Sequence, residues 1–260
     1  GIPVKALRWL TMRHGPLAIR PSMDPAMWRW LLAMLRNCTS ARYAVNKARM
    51  VPLAEHSRDC LRALRQETGI AYDEGTGGTL QLFRTQRQLD SVAKDVEVLR
   101  DFGVPHEILD AQGCVKAEPG LAQATTSIAG GLRLPDDETG DCKLFTERLA
   151  ELASQNGADI QLGTNVTRIV SDAGKIVGIA TSEGLERVDA CVVALGTASP
   201  AMMAPFGIRL PVYPVKGYSL TLPVLDPAAA PISTIMDETF KTAITRLGAR
   251  IRVGGTAELS

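Results

Sequence analysis

A mixed α/β fold, with helical and strand-rich stretches interleaved along the chain, is what this sequence predicts. Three observations lead there. Apolar residues recur at helical spacing near 25–37, 47–67, 85–101 and 142–156, several of these bounded by cap and stop signals. Short apolar runs bounded by Gly, Pro or Asn lie between them. Beyond residue 211 the pattern is strand-rich, over 212–222, 232–236, 240–247 and 250–255. With 260 residues, 45% hydrophobic and 22% charged, the composition is that of an ordinary globular protein with core enough for one large domain or two. No internal repeat or low-complexity segment is visible.

Asp24-Pro25 supplies an N-cap and a proline at the first helical position, opening a helix through Met27-Trp28-Arg29-Trp30 to Asn37. Two readings stand for it: a membrane-surface or partner-binding helix, and a helix packed on the rest of the protein. The next helix carries Leu53, Ser57, Cys60, Leu61 and Leu64 at helical spacing and stops before Gly69. Gly77-Gly78 leads into a strand ending near Phe83, a helix over 85–101 ends at Gly103, and Val104–Leu109 is a strand. Residues 110–121 form a short helix and a loop, and Ile128–Leu134 a strand that Pro135 ends. Asp141 is expected to cap the helix over 142–156, which turns Leu144, Phe145, Leu149 and Leu152 inward and stops at Asn156-Gly157. Strands at 158–162, 165–170, 175–180 and 185–195 follow, the second and third joined by an Asp172-Ala-Gly174 turn.

The net charge of +1 hides an asymmetry. Residues 1–54 hold nine cations (Lys5, Arg8, Arg13, Arg20, Arg29, Arg36, Arg42, Lys47, Arg49) against Asp24 alone, so this segment is +8 and the remainder −7. All three tryptophans, Trp9, Trp28 and Trp30, fall in it. The five cysteines are odd in number and form no C-x-x-C, which speaks against a disulfide framework or zinc site and for a reducing, cytoplasmic compartment. They read best as small buried hydrophobes. The longest uncharged run, 190–208, contains Gly196, Pro200, Pro205 and Gly207 and is no regular membrane-spanning helix.

One stretch carries a binding signal. The apolar run Ala190–Leu195 reads as a buried strand that stops at Gly196, with Ser199-Pro200 as N-cap and first helical residue. Such a strand–turn–helix unit places backbone N–H groups where they meet a phosphate, although most such junctions serve packing. Next, Tyr218, Leu220 and Leu222 alternate with Ser219 and Thr221, as in a half-buried strand that walls a pocket. Around it stand Lys216, Lys241, Arg246, Arg250 and Arg252, any of which suits a carboxylate, although such charges are more often solvated or paired across strands. The acidic stretch 136–141 lacks EF-hand spacing and reads as a turn. His14, His56 and His106 have no neighbours at metal-ligand spacing. With no G-x-S-x-G, P-loop, H-E-x-x-H or kinase set, hydrolase and phosphotransfer chemistry have no footing.

Residues 134–146 (LPDDETGDCKLFT), 163–169 (GTNVTRI), 192–196 (VVALG) and 214–221 (PVKGYSLT), in this order, resemble the glycine-oxidase/D-amino-acid-oxidase superfamily of flavoproteins. More narrowly, 49–61 (RMVPLAEHSRDCL), 77–85 (GGTLQLFRT) and 252–258 (RVGGTAE) are similar to the bacterial D-amino acid dehydrogenase small-subunit family. The resemblance covers essentially the whole chain. It departs in one respect: that family begins with a G-x-G-x-x-G unit, absent here, and continues past the position of Ser260, so the chain resembles an internal piece of a longer protein.

What the resemblance implies follows. The fold is an incomplete FAD-binding Rossmann-like domain interleaved with a sheet-based substrate domain. Residues 1–44 form a basic, Trp-rich helical segment, 45–137 the first part of the substrate domain, 138–210 part of the FAD-binding domain, and 211–260 the second part of the substrate domain. The cofactor is FAD, with the backbone at Val166 and the small residues Ala194, Gly196 and Thr197 along it, and Lys216, Tyr218 and Arg246 near the substrate; no catalytic residue and no metal are assigned. The implied reaction is oxidative deamination of a D-amino acid, by hydride transfer from its Cα to flavin N5, to an imine that hydrolyses to a 2-oxo acid and ammonia. Electrons then pass to a quinone or carrier, and residues 1–44 touch the inner face of a bacterial plasma membrane. Nucleic acid is no partner. Two alternatives remain: an oxygen-using glycine or sarcosine oxidase, and a non-catalytic, flavin-free fragment.

Overall fold

Among the described residues, strand pairing builds two sheets, one of eight strands and one of three. The computed structural model describes residue 6 and residues 9–12, 15–20, 22–124 and 126–260. Lys5, Arg8, Arg13 and His14 of the basic segment lie outside the described residues. The described chain forms two compact units: Gly1–Arg20 with Cys38–Glu151 and Lys216–Ser260, and Pro21–Asn37 with Leu152–Val215. The mixed α/β expectation holds, with parallel and antiparallel pairs in the larger sheet.

That sheet contains β1 (Leu17–Ile19), β2 (Thr79–Phe83), β3 (Glu107–Asp110) and β4 (Gly130–Leu134). Three more strands are β8 (Lys216–Pro223), β9 (Thr234–Asp237) and β10 (Thr242–Leu247), and β11 (Arg250–Leu259) is the longest. The order is β1-β11-β10-β9-β2-β4-β3, with β8 on the free side of β11. Strand alternation puts Leu80 and Leu82 of β2 on one face, packed with Cys114 and Ile235, and Phe83 on the other with Val92 and Leu132. Gly131 is what lets the helix Ala111–Ala117 sit so close: a Cβ there would stand 2.8 Å from both Cys114 Sγ and Leu80 Cδ1.

The helices show how local chemistry sets boundaries. Thr39 accepts from the Arg42 N–H, so the second long helix starts at Ser40 rather than 47; it ends at Thr68, where Gly69 takes a left-handed conformation. The single helix expected over 85–101 is two, Gln86–Asp90 and Ala93–Asp101, because buried Val92 sits in the break, anchored in the core. Asp141 caps the helix Cys142–Gln155 as expected, accepting from the N–H groups of Lys143 (3.0 Å) and Leu144 (3.2 Å). The acidic stretch is not simply solvated: Glu138 takes Arg62 (2.6 Å) and Arg65 (2.7 Å), and Asp141 takes Arg250 (2.8 Å). Of the five cysteines only Cys114 is buried, and Cys60 and Cys142 are exposed, which corrects their reading as buried hydrophobes.

These carboxylates set an acid limit. The Arg65 and Arg62 guanidinium groups hold Glu138 below the usual carboxylate range, and the Leu144 N–H, then Arg250, do so for Asp141. A carboxyl whose pKa falls on folding stabilises the protein above its unfolded pKa and ceases to as pH drops through the folded value. Asp137, raised by burial, works in the opposite direction. The unfolding midpoint in urea is expected to stay level from about pH 7 to 5 and to fall below about pH 4.5, with a shallower fall in Glu138→Gln.

The strand expected to end at 255 runs on to Leu259 through a bulge. Tyr218 faces Gly255 and Gly217 faces Ala257, leaving Thr256 extra, at φ 56°. A β-branched residue held left-handed costs about 1–2 kcal/mol. Thr256→Gly is therefore expected to raise the unfolding free energy by about 0.5–1 kcal/mol, less than the strain because glycine loses more chain entropy. Thermal melting checks this, and a lowered melting temperature would contradict it.

The second unit holds β5 (Val166–Asp172), β6 (Lys175–Thr181) and β7 (Leu185–Arg187) as an antiparallel meander. The β5–β6 hairpin turns on Ala173 and Gly174, both at positive φ, the geometry that matches strand twist in a two-residue loop. In the helix Pro25–Asn37, Met27 is fully buried, Trp30 packs on Tyr213 at 6.0 Å, and Tyr213 donates to Asp24.

Two strand expectations fail here. Residues 158–162 and 190–195 form no strand, and Leu162 and Val192 are about nine-tenths exposed. An apolar run becomes a buried strand only when neighbours satisfy its backbone groups, and no described strand pairs with either run.

Candidate functional site

Val166, Ala194, Gly196 and Thr197 all belong to the second unit. Val166 opens β5 and is half-buried; Ala194, Gly196 and Thr197 are exposed, on a coil that tightens into the 3-10 turn Gly196–Ala198. Gly196 has φ +54° and open space where a Cβ would stand. The helix that follows, Ser199–Met203, packs against β5, so the Val166 strand and the Gly196 turn are neighbours. Its cap residue is Ala198, with no side-chain cap; Ser199 is the first helical residue rather than the cap. Five residues give no useful helix dipole, so the expected phosphate-binding terminus is corrected to a surface of small side chains. At Gly196 nothing stands within 4 Å of where a Cβ would be, so the backbone is open to close approach from outside.

Lys216 and Tyr218 lie on β8, in the first unit. Every residue of β8 is exposed, which corrects the half-buried reading: the strand pairs with β11 alone and both faces are open. Tyr218 Oη donates to Glu258 Oε2 at 2.8 Å, and Lys216 Nζ stands 3.4 Å from Glu258 Oε1 and 2.8 Å from Ser260 Oγ. Arg20, at the end of β1, adds its Nε at 3.3 Å from the same Oε1. Glu258 itself is 5% exposed. The Tyr218 hydroxyl, and with it Arg20 and Lys216, holds Glu258 below the usual carboxylate range, while Glu258 pushes the Tyr218 phenol up.

Arg246 does not join them. It pairs in register with Ile251, four residues along β11 from the partner of Tyr218, about 13 Å away, and its Nε is donated to the Gly248 carbonyl. Arg250 is engaged by Asp73 and Asp141, and Lys241 by Glu238. Glu258 and Arg20 were missed from sequence; the Gly254-Gly255 pair inside a strand pattern is the bulge signal that extends β11 to reach them. Among the described residues no group of His, Cys, Asp and Glu is arranged to hold a metal. His106 bonds the Val104 carbonyl, and His56 lies 3.5 Å from Cys60 Sγ one helical turn away.

Comparison with known proteins gives a consistent picture. A D-amino acid dehydrogenase from Bradyrhizobium diazoefficiens is 60% identical over 260 residues, all of this chain and 62% of that protein. One from Rhizorhabdus wittichii is 62% identical over the same span, again 62% of its length. The chain thus spans about three fifths of the relatives it matches. The glycine oxidase structure from Geobacillus kaustophilus superposes with a TM-score of 0.70 at 28% identity, over 80% of this chain and 56% of that one. The Bacillus cereus glycine oxidase gives 0.71 at 25%, over 80% and 57%. The family model described as DAO, FAD dependent oxidoreductase, matches residues 21–260, and the chain belongs to that family.

Proposed function

We propose that this chain is the central part of an FAD-dependent D-amino acid dehydrogenase, which oxidises D-amino acids to imines that water converts to 2-oxo acids and ammonia. The observation that carries this is 60–62% identity to proteins of that name along the entire chain. FAD, when bound, supplies the acceptor for the two electrons leaving the substrate Cα–N unit. The chain's own part is binding and orientation. Ala194, Gly196 and Thr197, with the Val166 backbone, offer a low surface for the cofactor, within the 138–210 part of an FAD-binding domain. Residues 45–137 and 211–260 make the substrate domain, where exposed Lys216 suits a substrate carboxylate and Tyr218 offers a hydroxyl oxygen. Arg246 stands about 13 Å along the sheet and donates to the Gly248 carbonyl, so it takes no part in holding a small amino acid beside Lys216.

The electron acceptor proposed is a quinone or carrier, reached at the inner face of the bacterial plasma membrane. The helix Pro25–Asn37 supports this: Trp28, Leu32 and Leu35 form one exposed apolar stripe, with Arg29 and Arg36 exposed beside it. No described helix is long and apolar enough to cross a membrane. Neutralising Arg8, Arg13, Arg29 and Arg36 is expected to weaken co-sedimentation with anionic vesicles; unchanged sedimentation removes the membrane contact.

The test of activity uses the full-length, flavin-loaded protein with D-alanine, glycine and sarcosine, with an artificial acceptor and with oxygen. D-Alanine should bleach the flavin anaerobically and support turnover with the acceptor. Faster turnover of glycine or sarcosine with oxygen would instead favour the second reading, an amine oxidase, to which the two glycine oxidase superpositions lend support. A purified 260-residue chain without flavin absorbance would assign cofactor retention to the longer protein.

A further inference from the structure

Glu258 is the one charged side chain at the β8–β11 edge that is nearly inaccessible, yet three exposed groups converge on it. Its placement depends on the bulge. Tyr218 pairs with Gly255, and neighbours alternate faces, so in an unbroken strand a residue three positions on would point to the opposite face from Tyr218. Thr256, inserted at φ 56°, shifts the register by one and pairs Glu258 with Lys216, on the Tyr218 face. A strained β-branched residue therefore has an identifiable consequence: it delivers one carboxylate beneath a phenol and an ammonium. Two cationic side chains, Lys216 and Arg20, meet this single carboxylate, leaving one positive charge in excess among them. Both cations stay largely open to solvent, with side-chain exposures of 62% and 71%.

We infer that Glu258 is a positioning residue for substrate binding: braced by the Tyr218 hydroxyl, it holds the Lys216 ammonium in a geometry that receives the carboxylate of a small amino or 2-oxo acid. The inference rests on the proposed placement of Lys216 and Tyr218 at the substrate. Because Tyr218 spends its proton on Glu258, it braces that carboxylate, and through it Lys216, whatever acid is bound; its oxygen is left to accept from an amino group where the ligand carries one. Lys216 supplies the charge opposite the carboxylate, and Arg20 completes the neutralisation of Glu258, so that Lys216 is not consumed by it.

A double-mutant cycle on the full-length, flavin-loaded protein tests this. Glu258→Gln and Tyr218→Phe are measured singly and together. One readout is KM and kcat for D-alanine; the other is the dissociation constant for pyruvate, from quenching of intrinsic fluorescence. Each single change should raise KM and the pyruvate constant roughly tenfold, with kcat within about threefold, and the double variant should be no worse than either. Lys216→Ala should weaken pyruvate to a similar degree, and Glu258→Asp should recover part of the loss. Constants within about twofold of the parent, or strictly additive losses, overturn the inference. Thermal melting of Glu258→Gln separates misfolding from lost positioning, and Tyr218→Phe, altering an exposed ring, decides if Glu258→Gln does not fold. If the parent turns over no D-amino acid, the proposed activity fails by itself, while coupling in the pyruvate constants still upholds the role of Glu258.

Discussion

Replacing Glu118 with alanine is expected to lower the unfolding free energy by about 3–5 kcal/mol, a large part of the roughly 5–15 kcal/mol available to a domain. Glu118 is fully buried, between the helix Ala111–Ala117 and the 3-10 turn Pro119–Gln123. Its carboxylate accepts from the N–H of Ile232 (3.0 Å), the N–H of Ser233 (2.7 Å) and the Ser233 hydroxyl. These donors sit just before β9, in a loop whose approach is so close that a Cβ on Gly120 would stand 2.8 Å from the Ala229 carbonyl oxygen. Alanine leaves two part-buried N–H groups without this acceptor and a void where the buried carboxylate stood, and an orphaned donor costs about 1–3 kcal/mol. Glu118→Gln keeps one acceptor oxygen and the shape, and should cost about half as much. Urea unfolding followed by circular dichroism reads both; an alanine variant within about 1 kcal/mol of the parent would show that this carboxylate does not hold the loop.

Gly196→Val should cost the full-length protein more than tenfold in flavin affinity, or about 2 kcal/mol, beyond the about 1–2 kcal/mol that backbone strain takes from the stability of the flavin-free chain. At φ +54° a β-branched residue is strained by about 1–2 kcal/mol, and its methyl groups would occupy the open space that the cofactor is proposed to use. Since that space is empty of protein, no core contact is lost. Flavin absorbance after dialysis gives the occupancy. Retention equal to the parent would remove Gly196 from the cofactor surface.

Much of the larger sheet was legible because its segments are short, alternating and punctuated: Gly77-Gly78 before β2, Pro135 after β4, Gly248 between β10 and β11. Asp141 was readable as a cap because a short polar side chain before an amphipathic run has few other uses. What escaped was non-local. Nothing between 190 and 195 reveals that an apolar run has no neighbouring strand, and there the pattern gave a strand where the chain forms none. Glu258 escaped for a related reason: period-two alternation breaks at a bulge, so the face of every residue after Thr256 is inverted. The five cations near the C-terminal end look alike in sequence, and only the register separates Lys216, beside Tyr218, from Arg246, spent on a turn carbonyl.

The parallel pairing of β2 with β9 has a consequence for synthesis. β2, β4 and β3 pair antiparallel among themselves and can assemble once Leu134 has emerged. The other edge of β2 must wait for Thr234–Asp237, beyond the whole of the second unit. At about 5–20 residues per second, the backbone N–H and C=O groups along that edge stay unpaired with β9 on the ribosome for roughly 5–20 s. A sheet stitched across an inserted unit is thus born with an unsatisfied seam, and the nascent chain is most vulnerable to mispairing and chaperone capture during that interval.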